Sequence, residues 1–253
     1  MKNKFLKKIV GWLGYKLVDK DIIKNNRIIG NKSFLNIEKI LNYLTKNNIV
    51  NSLVQVGAND GQRFDALNRF IKDYKIRCIL VEPIEEHFKD LKNNYKGFKN
   101  IFFENSLISV NNEILYLYKA NAKSLANYGD HVKGISSFDY KHLIKHGVRK
   151  KHIIKQKVNS ITIKDLLLKY KFNNFDLLFI DAEGYDGKIV NDFLSNSLIR
   201  PYIIFEYIHI DHKTFKNLTL NLTKNDYIFF SINENLICIP KEKQSSFIFQ
   251  NIF

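Results

Sequence analysis

The sequence predicts an α/β protein built on a mostly parallel sheet. From residue 51 onwards, short apolar runs alternate with stretches whose apolar residues recur at helical spacing. Strands that alternate with helices need crossover connections, and crossovers place the strands parallel to one another. The chain closes on two consecutive strand-like runs, YIFFSI and NLICIP, so we expect an antiparallel pair at the C-terminal edge.

Each element is predicted from its apolar periodicity. The earlier strand-like runs are SLVQV, RCILV, NIFFE, EILYLY, HIIKQKV, FDLLFI and YIIFEY. Helical spacing is found around residues 34–44, 64–74, 84–95, 163–170, 187–194 and 214–224. The segment at residues 119–150 is polar and weakly periodic, so we interpret it as a lid-like insertion.

Length and composition set the domain organisation. The 253 residues suffice for one large α/β domain with elaborations. We divide the chain into an N-terminal helical extension, residues 1–48, and an α/β domain, residues 49–253. No apolar stretch has the roughly 18 residues that cross a bilayer, so we expect a non-integral protein. Two cysteines without CxxC spacing predict neither a zinc site nor a disulfide framework, which favours a reducing cytoplasm. Cys78 and Cys238 lie in strand-like runs and are expected to be buried, reduced thiols.

The net charge of +15 raises the question of anionic partners. In the first stretch, MKNKFLKKIVGWLGYKLV, apolar residues recur near helical spacing with lysines between them. This pattern suits an interfacial helix at the inner face of the membrane, or a helix packed on the body or on a second subunit of a homodimer. The other lysines are scattered, which favours a solvated basic surface over a nucleic-acid site.

A glycine turn follows the first strand of the alternating region. The run VQVGANDGQ lies between a predicted strand and a predicted helix. In this setting backbone N–H groups approach a nucleotide, and glycine leaves room for them. We therefore assign Gly57, Ala58, Asn59, Asp60 and Gly61 to cofactor binding.

A carboxylate at the end of the next strand completes the nucleotide site. Glu82 follows RCILV about 20 residues after Gly61, the position from which a carboxylate accepts both ribose hydroxyls. The loop lacks the G-x-G-x-x-G sequence pattern of a dinucleotide-binding turn. Asp60 would repel a pyrophosphate but tolerate a ligand carrying ammonium and sulfonium groups, which favours S-adenosylmethionine over NAD. Ser106, just past NIFFEN, is placed to approach the adenine.

Taken together, these motifs resemble the FkbM family of class I S-adenosylmethionine-dependent methyltransferases. The corresponding segments are VQVGANDGQ for the glycine loop, VEPIEEHFKDL for the second-strand acidic motif, NSLIS for the third-strand end, FDLLFIDAEGYD for the fourth-strand motif and IIFEY for the fifth-strand glutamate. The resemblance covers roughly residues 53–240 and is weak in the insertion. It implies a Rossmann-like, mostly parallel seven-stranded sheet with a C-terminal antiparallel strand.

Methyl transfer requires an acceptor held in line and benefits from a base. Asp181 and Glu183 follow FDLLFI, Glu206 ends YIIFE, and His209 lies three positions later. We assign these four residues to catalysis, and Asp181 to the cofactor as well, since such strand ends face the ligand crevice. Asp181 or His209 could act as a general base, or Asp181 and Glu206 could hold a divalent cation. With only two firm oxygen ligands, we favour metal-free catalysis and assign no metal site.

The insertion contains GISSF, which resembles the family segment that lies near the acceptor. Ser136, Ser137, His142 and His146 are therefore candidate acceptor contacts. Histidines in a lysine-rich loop are more often exposed to solvent, and that reading remains the alternative for both.

The resemblance implies an O-methyltransferase acting on a hydroxyl, in a sugar of a surface polysaccharide or a lipid-linked glycan. A nucleic-acid methyltransferase would suit the net charge, but DAEGYD stands where [DN]PP[YF] is expected for a base amine. An NAD-dependent oxidoreductase is disfavoured because the loop lacks the G-x-G-x-x-G pattern. A non-catalytic module that binds S-adenosylmethionine without turnover is the third alternative.

Overall fold

The computed structural model describes residues 36–246, except positions 64, 130, 131, 133 and 183. The basic stretch at residues 1–18 and the candidate catalytic residue Glu183 therefore lie outside the described residues. No helix in the described part is both long and apolar enough to span a membrane.

The described chain alternates helices and strands in the predicted order. The helices are α1 (Ile37–Lys46), α2 (Asn68–Asp73), α3 (Glu85–Asn94), α4 (Tyr140–Lys145), α5 (Ile163–Lys169), α6 (Asp186–Asn196) and α7 (His212–Lys224). The strands are β1 (Ser52–Val56), β2 (Arg77–Val81), β3 (Ile101–Glu104), β4 (Leu107–Ile108), β5 (Ile114–Ala120), β6 (Ser136–Ser137), β7 (Ile153–Ile161), β8 (Leu177–Ile180), β9 (Tyr202–Glu206), β10 (Tyr227–Ile232) and β11 (Asn235–Pro240).

A seven-stranded sheet forms the centre of the described part, in the order β10-β11-β9-β8-β1-β2-β3. The strands from β3 to β9 in this order run parallel, whereas β11 pairs antiparallel with both β9 and β10. The prediction of a mostly parallel sheet closed by a C-terminal antiparallel strand is confirmed. Because β2 and β8 lie on opposite sides of β1, the loops that leave these strands diverge and open a crevice there.

Both faces of this sheet are buried. Val54 and Val56 of β1 belong to a core cluster that includes apolar residues of α5, α6 and α7. The intervening residues Leu53 and Gln55 point to the opposite face and are buried as well. A strand that is buried on both faces has a nearly continuous apolar sequence, and the strand-like runs of this chain have such sequences. Cys78 and Cys238 are free thiols in the interior, as predicted.

The insertion starts and ends on a second sheet, in the order β4-β7-β5-β6. Strands β5 and β7 pair antiparallel from Ile114 opposite Asn159 to Ala120 opposite Ile153. Between them the chain contains α4 and short 3₁₀ turns that surround a small apolar core of Ala120, Val132, Ile135, Leu143 and Val148. Since α4 has only six residues, it is too short to produce a clear helical period, which explains why the sequence reads as weakly ordered.

Candidate active site

A cleft of about 660 Å³ lies at the carboxyl edge of β1, β2, β8 and β9. The predicted site residues that line it are Gly57, Ala58, Asn59, Glu82, Ser106, Ser136, Ser137, His146, Asp181, Glu206 and His209. Asp60 lines a neighbouring pocket of about 220 Å³, while Gly61 and His142 line neither cavity. The structure thus brings most of the predicted residues to one crevice, at the reversal point of the strand order.

Gly57 allows β1 and β8 to approach each other closely. Its φ is +81°, and a Cβ at this position would lie 1.9 Å from the backbone oxygen of Asp181. The N–H groups of Gly57 and Ala58 both donate to the carbonyl of Val81 on β2, at 3.0 and 2.9 Å. The close approach of the backbone after β8 therefore requires glycine at position 57, whether or not a ligand also needs the space.

Asp60 and Gly61 serve the loop itself. The Asp60 carboxylate accepts the backbone N–H groups of Gln62 and Arg63, at 2.9 and 2.8 Å, and lies 3.0 Å from Arg63 Nε. A Cβ on Gly61 would come within 2.4 Å of Leu91 on α3. Because Arg63 offsets the charge of Asp60, repulsion by Asp60 is a weaker argument against a pyrophosphate than the sequence suggested. A cofactor contact of either residue stays a prediction.

Glu82 is anchored between the first two strand ends. Its two carboxylate oxygens accept the backbone N–H groups of Asn59 and Ile84, at 2.9 and 2.8 Å. The side chain is buried, and burial raises the pKa of the Glu82 carboxyl to about 7. Backbone hydrogen bonds and the nearby Lys119 ammonium oppose this rise in pKa. Glu82 is thus held at the wall of the cleft, where a ribose could reach it.

Gln55 and Asp65 form a polar pair that sequence reasoning missed. Gln55 Nε2 donates to Asp65 Oδ1 at 3.0 Å, and both residues line the cleft. Among the described residues, Gln55 Oε1 and Asp65 Oδ2 are buried atoms without a hydrogen-bond partner. Burial also raises the pKa of the Asp65 carboxyl. A glutamine inside an apolar strand run was the available signal, since a buried polar side chain calls for a partner.

Ser106 approaches the cleft from the end of β3. Its hydroxyl donates to Glu104 Oε1 at 2.6 Å, and Glu104 also accepts bonds from Lys169 and Tyr170. The Ser106 oxygen retains capacity as an acceptor. Its proposed contact with adenine stays a prediction.

Asp181 follows β8 and presents its carboxylate to the cleft. Desolvation by the cleft walls raises the pKa of Asp181, and the nearby His209 opposes that rise. Five residues later, the Asp186 side chain is fully buried and accepts the backbone N–H groups of Ala182 and Gly184, at 3.2 and 3.1 Å. Burial raises the pKa of Asp186 to about 7, and Asp181 adds to this rise. Asp186 is the third residue that sequence reasoning missed, and it shapes the loop that carries Asp181.

Glu206 and His209 lie on the other side of Asp181, where β9 ends. His209 Nε2 is 3.8 Å from Glu206 Oε2. The His209 ring also meets two rings of the insertion, with centroids 5.0 Å from His142 and 6.4 Å from His146. The structure therefore brings His209, which the sequence analysis assigned to catalysis, together with His142 and His146, which it assigned to acceptor contacts.

The insertion contacts both sides of the cleft. The Phe138 ring lies 4.7 Å from the Tyr185 ring, next to the loop after β8. Gly134 approaches the glycine loop so closely that a Cβ there would lie 2.5 Å from Asn59 Nδ2. These contacts place residues of the insertion at the cleft, and its role as a lid stays a prediction.

The residues present fit a cationic nucleotide-like ligand such as S-adenosylmethionine. Glu82 offers acceptors for ribose hydroxyls, and the unpaired oxygens of Gln55 and Asp65 offer acceptors for an ammonium group. A neighbouring third carboxylate, Asp181, makes this side of the cleft attractive to positive charge.

Comparison with known proteins agrees with this geometry. The model of the methyltransferase FkbM domain family matches residues 55–229. A search of curated protein sequences finds no match.

Similar solved structures include an O-methyltransferase from Bacillus cereus in complex with SAH, with 9% identity, a TM-score of 0.43 and coverage of 92% of this chain and 95% of that chain. An SAH-bound methyltransferase from Podospora anserina has 8% identity, a TM-score of 0.45 and coverage of 87% of both chains. Methyltransferase FkbM from Methylobacillus flagellatus KT has 13% identity, a TM-score of 0.44 and coverage of 75% of this chain and 43% of that chain. These TM-scores are low, so assignment to a family depends on the family model.

Proposed function

The chain belongs to the methyltransferase FkbM family and is an S-adenosylmethionine-dependent methyltransferase; we propose that its acceptor is a hydroxyl group of a sugar, in a surface polysaccharide or a lipid-linked glycan. When bound, S-adenosylmethionine supplies an electrophilic methyl group on its sulfonium. Both the hydroxyl and the sugar class follow from family resemblance, and the carboxylates in the cleft are compatible with a hydroxyl acceptor.

The observation that carries the proposal is the convergence of Asp181, Glu206 and His209 on the cleft that Glu82 also lines. We assign to Asp181 the acceptance of the acceptor's hydroxyl proton, because a raised pKa makes its carboxylate a stronger base than an aspartate of ordinary pKa. Glu206 and His209 are assigned to hydrogen bonds that orient the acceptor. Glu183 stays in this catalytic assignment, although its position lies outside the described residues.

The cofactor assignment rests on the other residues of the cleft. We assign ribose recognition to Glu82, and the ammonium group to Gln55 and Asp65, whose buried oxygens need a donor. Gly57, Ala58 and Asn59 provide the backbone wall, and Ser106 the adenine side.

A methyl-transfer assay with radiolabelled S-adenosylmethionine tests the acceptor class. Sugar nucleotides, lipid-linked oligosaccharides, isolated surface polysaccharide, RNA and protein are compared as acceptors. We expect label only in the carbohydrate fractions, and a loss of about 100- to 10,000-fold in turnover for Asp181→Asn. Calorimetric titration with S-adenosylhomocysteine provides the control, since Asp181→Asn should weaken cofactor binding far less than turnover, although Asp181 is assigned to the cofactor as well.

Label found in RNA alone would replace the sugar proposal with the nucleic-acid alternative. Full turnover of Asp181→Asn would instead remove Asp181 from the role of proton acceptor while leaving the acceptor class in place.

We also propose that the basic stretch at residues 1–18 brings the enzyme to the inner face of a membrane, where a lipid-linked acceptor would be found. The alternation of apolar residues and lysines supports membrane contact, and packing against a second subunit is the alternative role of this stretch. Deletion of residues 1–20 should abolish sedimentation with anionic vesicles if the membrane role is correct.

A further inference from the structure

Three histidines from distant parts of the chain meet at the wall of the cleft. His142 and His146 lie four positions apart, in α4 and at its C-terminal cap, so they share one face of that helix. His209 comes from the loop after β9. One ring nitrogen from each of the three lies within 4.8 Å of the others.

The cluster is a costly arrangement for three groups that could each carry a proton. Protonated imidazoles at these distances would repel one another. The neutral imidazole is the form that ligates metal ions, and histidine is their commonest ligand in proteins.

We propose that His142, His146 and His209 bind one transition-metal ion, with Zn²⁺ as the fitting occupant. Two histidines at i and i+4 on one helix are a recurrent metal-binding pair, and a third imidazole with an open fourth position completes a typical zinc site. Zn–N distances of about 2.0–2.1 Å place tetrahedral ligand nitrogens about 3.4 Å apart. The present limit of 4.8 Å therefore requires the rings to close by about 1.4 Å or less, which side-chain rotation can supply.

The surroundings of the cluster are compatible with an added cation. Glu206 lies 3.8 Å from His209, close enough to offset positive charge. Asp181 also acts electrostatically on His209. Carboxylates beside ligating histidines commonly fix the ring orientation and raise the affinity for the metal.

The metal would connect the insertion to the central sheet. His142 and His146 belong to the insertion, and His209 follows β9, so one ion would tie α4 to the carboxyl edge of the sheet. His146 and His209 also line the cleft, which places the ion at the acceptor wall. This role goes beyond the proposed sugar methylation and does not depend on it. With His209 as a ligand, Glu206 alone would orient the acceptor through hydrogen bonds, and Asp181 keeps the role of proton acceptor.

Titration of the chelator-treated, full-length protein with Co²⁺ and Zn²⁺ alone tests the site. Three imidazole ligands should give the visible absorption of four- or five-coordinate Co²⁺, saturating at one ion per chain. Zn²⁺ should displace the Co²⁺, raise the melting midpoint of the wild type and slow proteolysis within residues 119–150. We expect His142→Ala and His209→Ala each to weaken Co²⁺ binding by more than about tenfold.

His212→Ala is the matched control, because His212 is exposed and lies three positions after His209. It should bind Co²⁺ as tightly as the wild type. Circular dichroism without metal checks that each variant is folded, and His146→Asn gives a second, milder change in the cluster. Wild type without Co²⁺ absorption, or His142→Ala and His209→Ala that bind as tightly as His212→Ala, would overturn the proposal.

Discussion

The cofactor side and the acceptor side of the cleft are built in different ways. On the cofactor side, one stretch of chain at residues 55–84 supplies both the loop and its anchor, and backbone N–H groups bond directly to Glu82 and Asp60. On the acceptor side, the loops after β8 and β9 meet the insertion through ring contacts. We infer that the cofactor side is preformed, whereas the acceptor side depends on where the insertion rests.

The largest effect should come from the cofactor side, through Gly57→Ala. The new Cβ would overlap the Asp181 backbone at a positive φ, so overpacking and backbone strain add. We expect a loss of more than about 4 kcal/mol in the free energy of unfolding, measured in urea, or no folded protein at all.

Gly97→Ala is the control for backbone strain alone. Gly97 has φ +96°, but a Cβ there would meet no atom within 4 Å. Its substitution should cost about 1–2 kcal/mol. Equal losses in the two variants would show that the contact between β1 and β8 is not the constraint.

Glu82→Gln should weaken cofactor binding without a change on the acceptor side of the cleft. The change keeps the shape and removes the charge that accepts ribose hydroxyls, so we expect S-adenosylhomocysteine to bind about 10- to 100-fold more weakly at pH 8. Because the Glu82 pKa is about 7, the wild-type carboxyl becomes protonated below that pH, and the difference from Gln should shrink at pH 6. Calorimetry at both pH values measures this. A constant difference would mean that ionisation of Glu82 plays no part.

Asp186→Asn should change how stability depends on pH. The folded protein holds the Asp186 proton up to about pH 7, whereas an unfolded aspartate releases it near 3.8, so the folded state binds more protons between these values. Stability of the wild type should therefore fall as pH rises from 5 to 7, by about 1–3 kcal/mol from this group. The variant should lose less over the same interval in urea unfolding. Parallel curves for both proteins would contradict the assignment.

Phe138→Ala should give the smallest effect, and that effect should be confined to the acceptor side of the cleft. The contact between the Phe138 and Tyr185 rings contributes about 0.5–1.5 kcal/mol beyond area burial. We expect faster hydrogen exchange within residues 119–150 and unchanged exchange in the glycine loop. Ile144→Ala, a change at an exposed side chain of α4, should leave both regions as in the wild type. Equal acceleration on both sides would show that the cleft responds as one unit.

Several features of the site were readable from single segments. The glycine loop and Glu82 belong to a local strand–turn–helix pattern, and the residues after β8 and β9 follow from the rule that parallel strands end at one edge. Gln55 and Asp65 escaped notice because nothing in the spacing shows that a residue of β1 meets one in the loop beyond Gly61. Asp186 escaped because an acidic residue at a helix start is ordinary, and only its burial makes it unusual.

The sequence by itself determined the order of strands and helices, the antiparallel closing pair, the glycine turn and the residues at the strand ends, because apolar periodicity and turn chemistry act over a few residues. Only the tertiary structure decided that Gly57 faces Asp181, that Gln55 meets Asp65, and that three histidines from two distant segments share one place. Such contacts depend on how segments that are remote in sequence pack together. The spacing of residues along the chain does not show how close two remote segments lie in space.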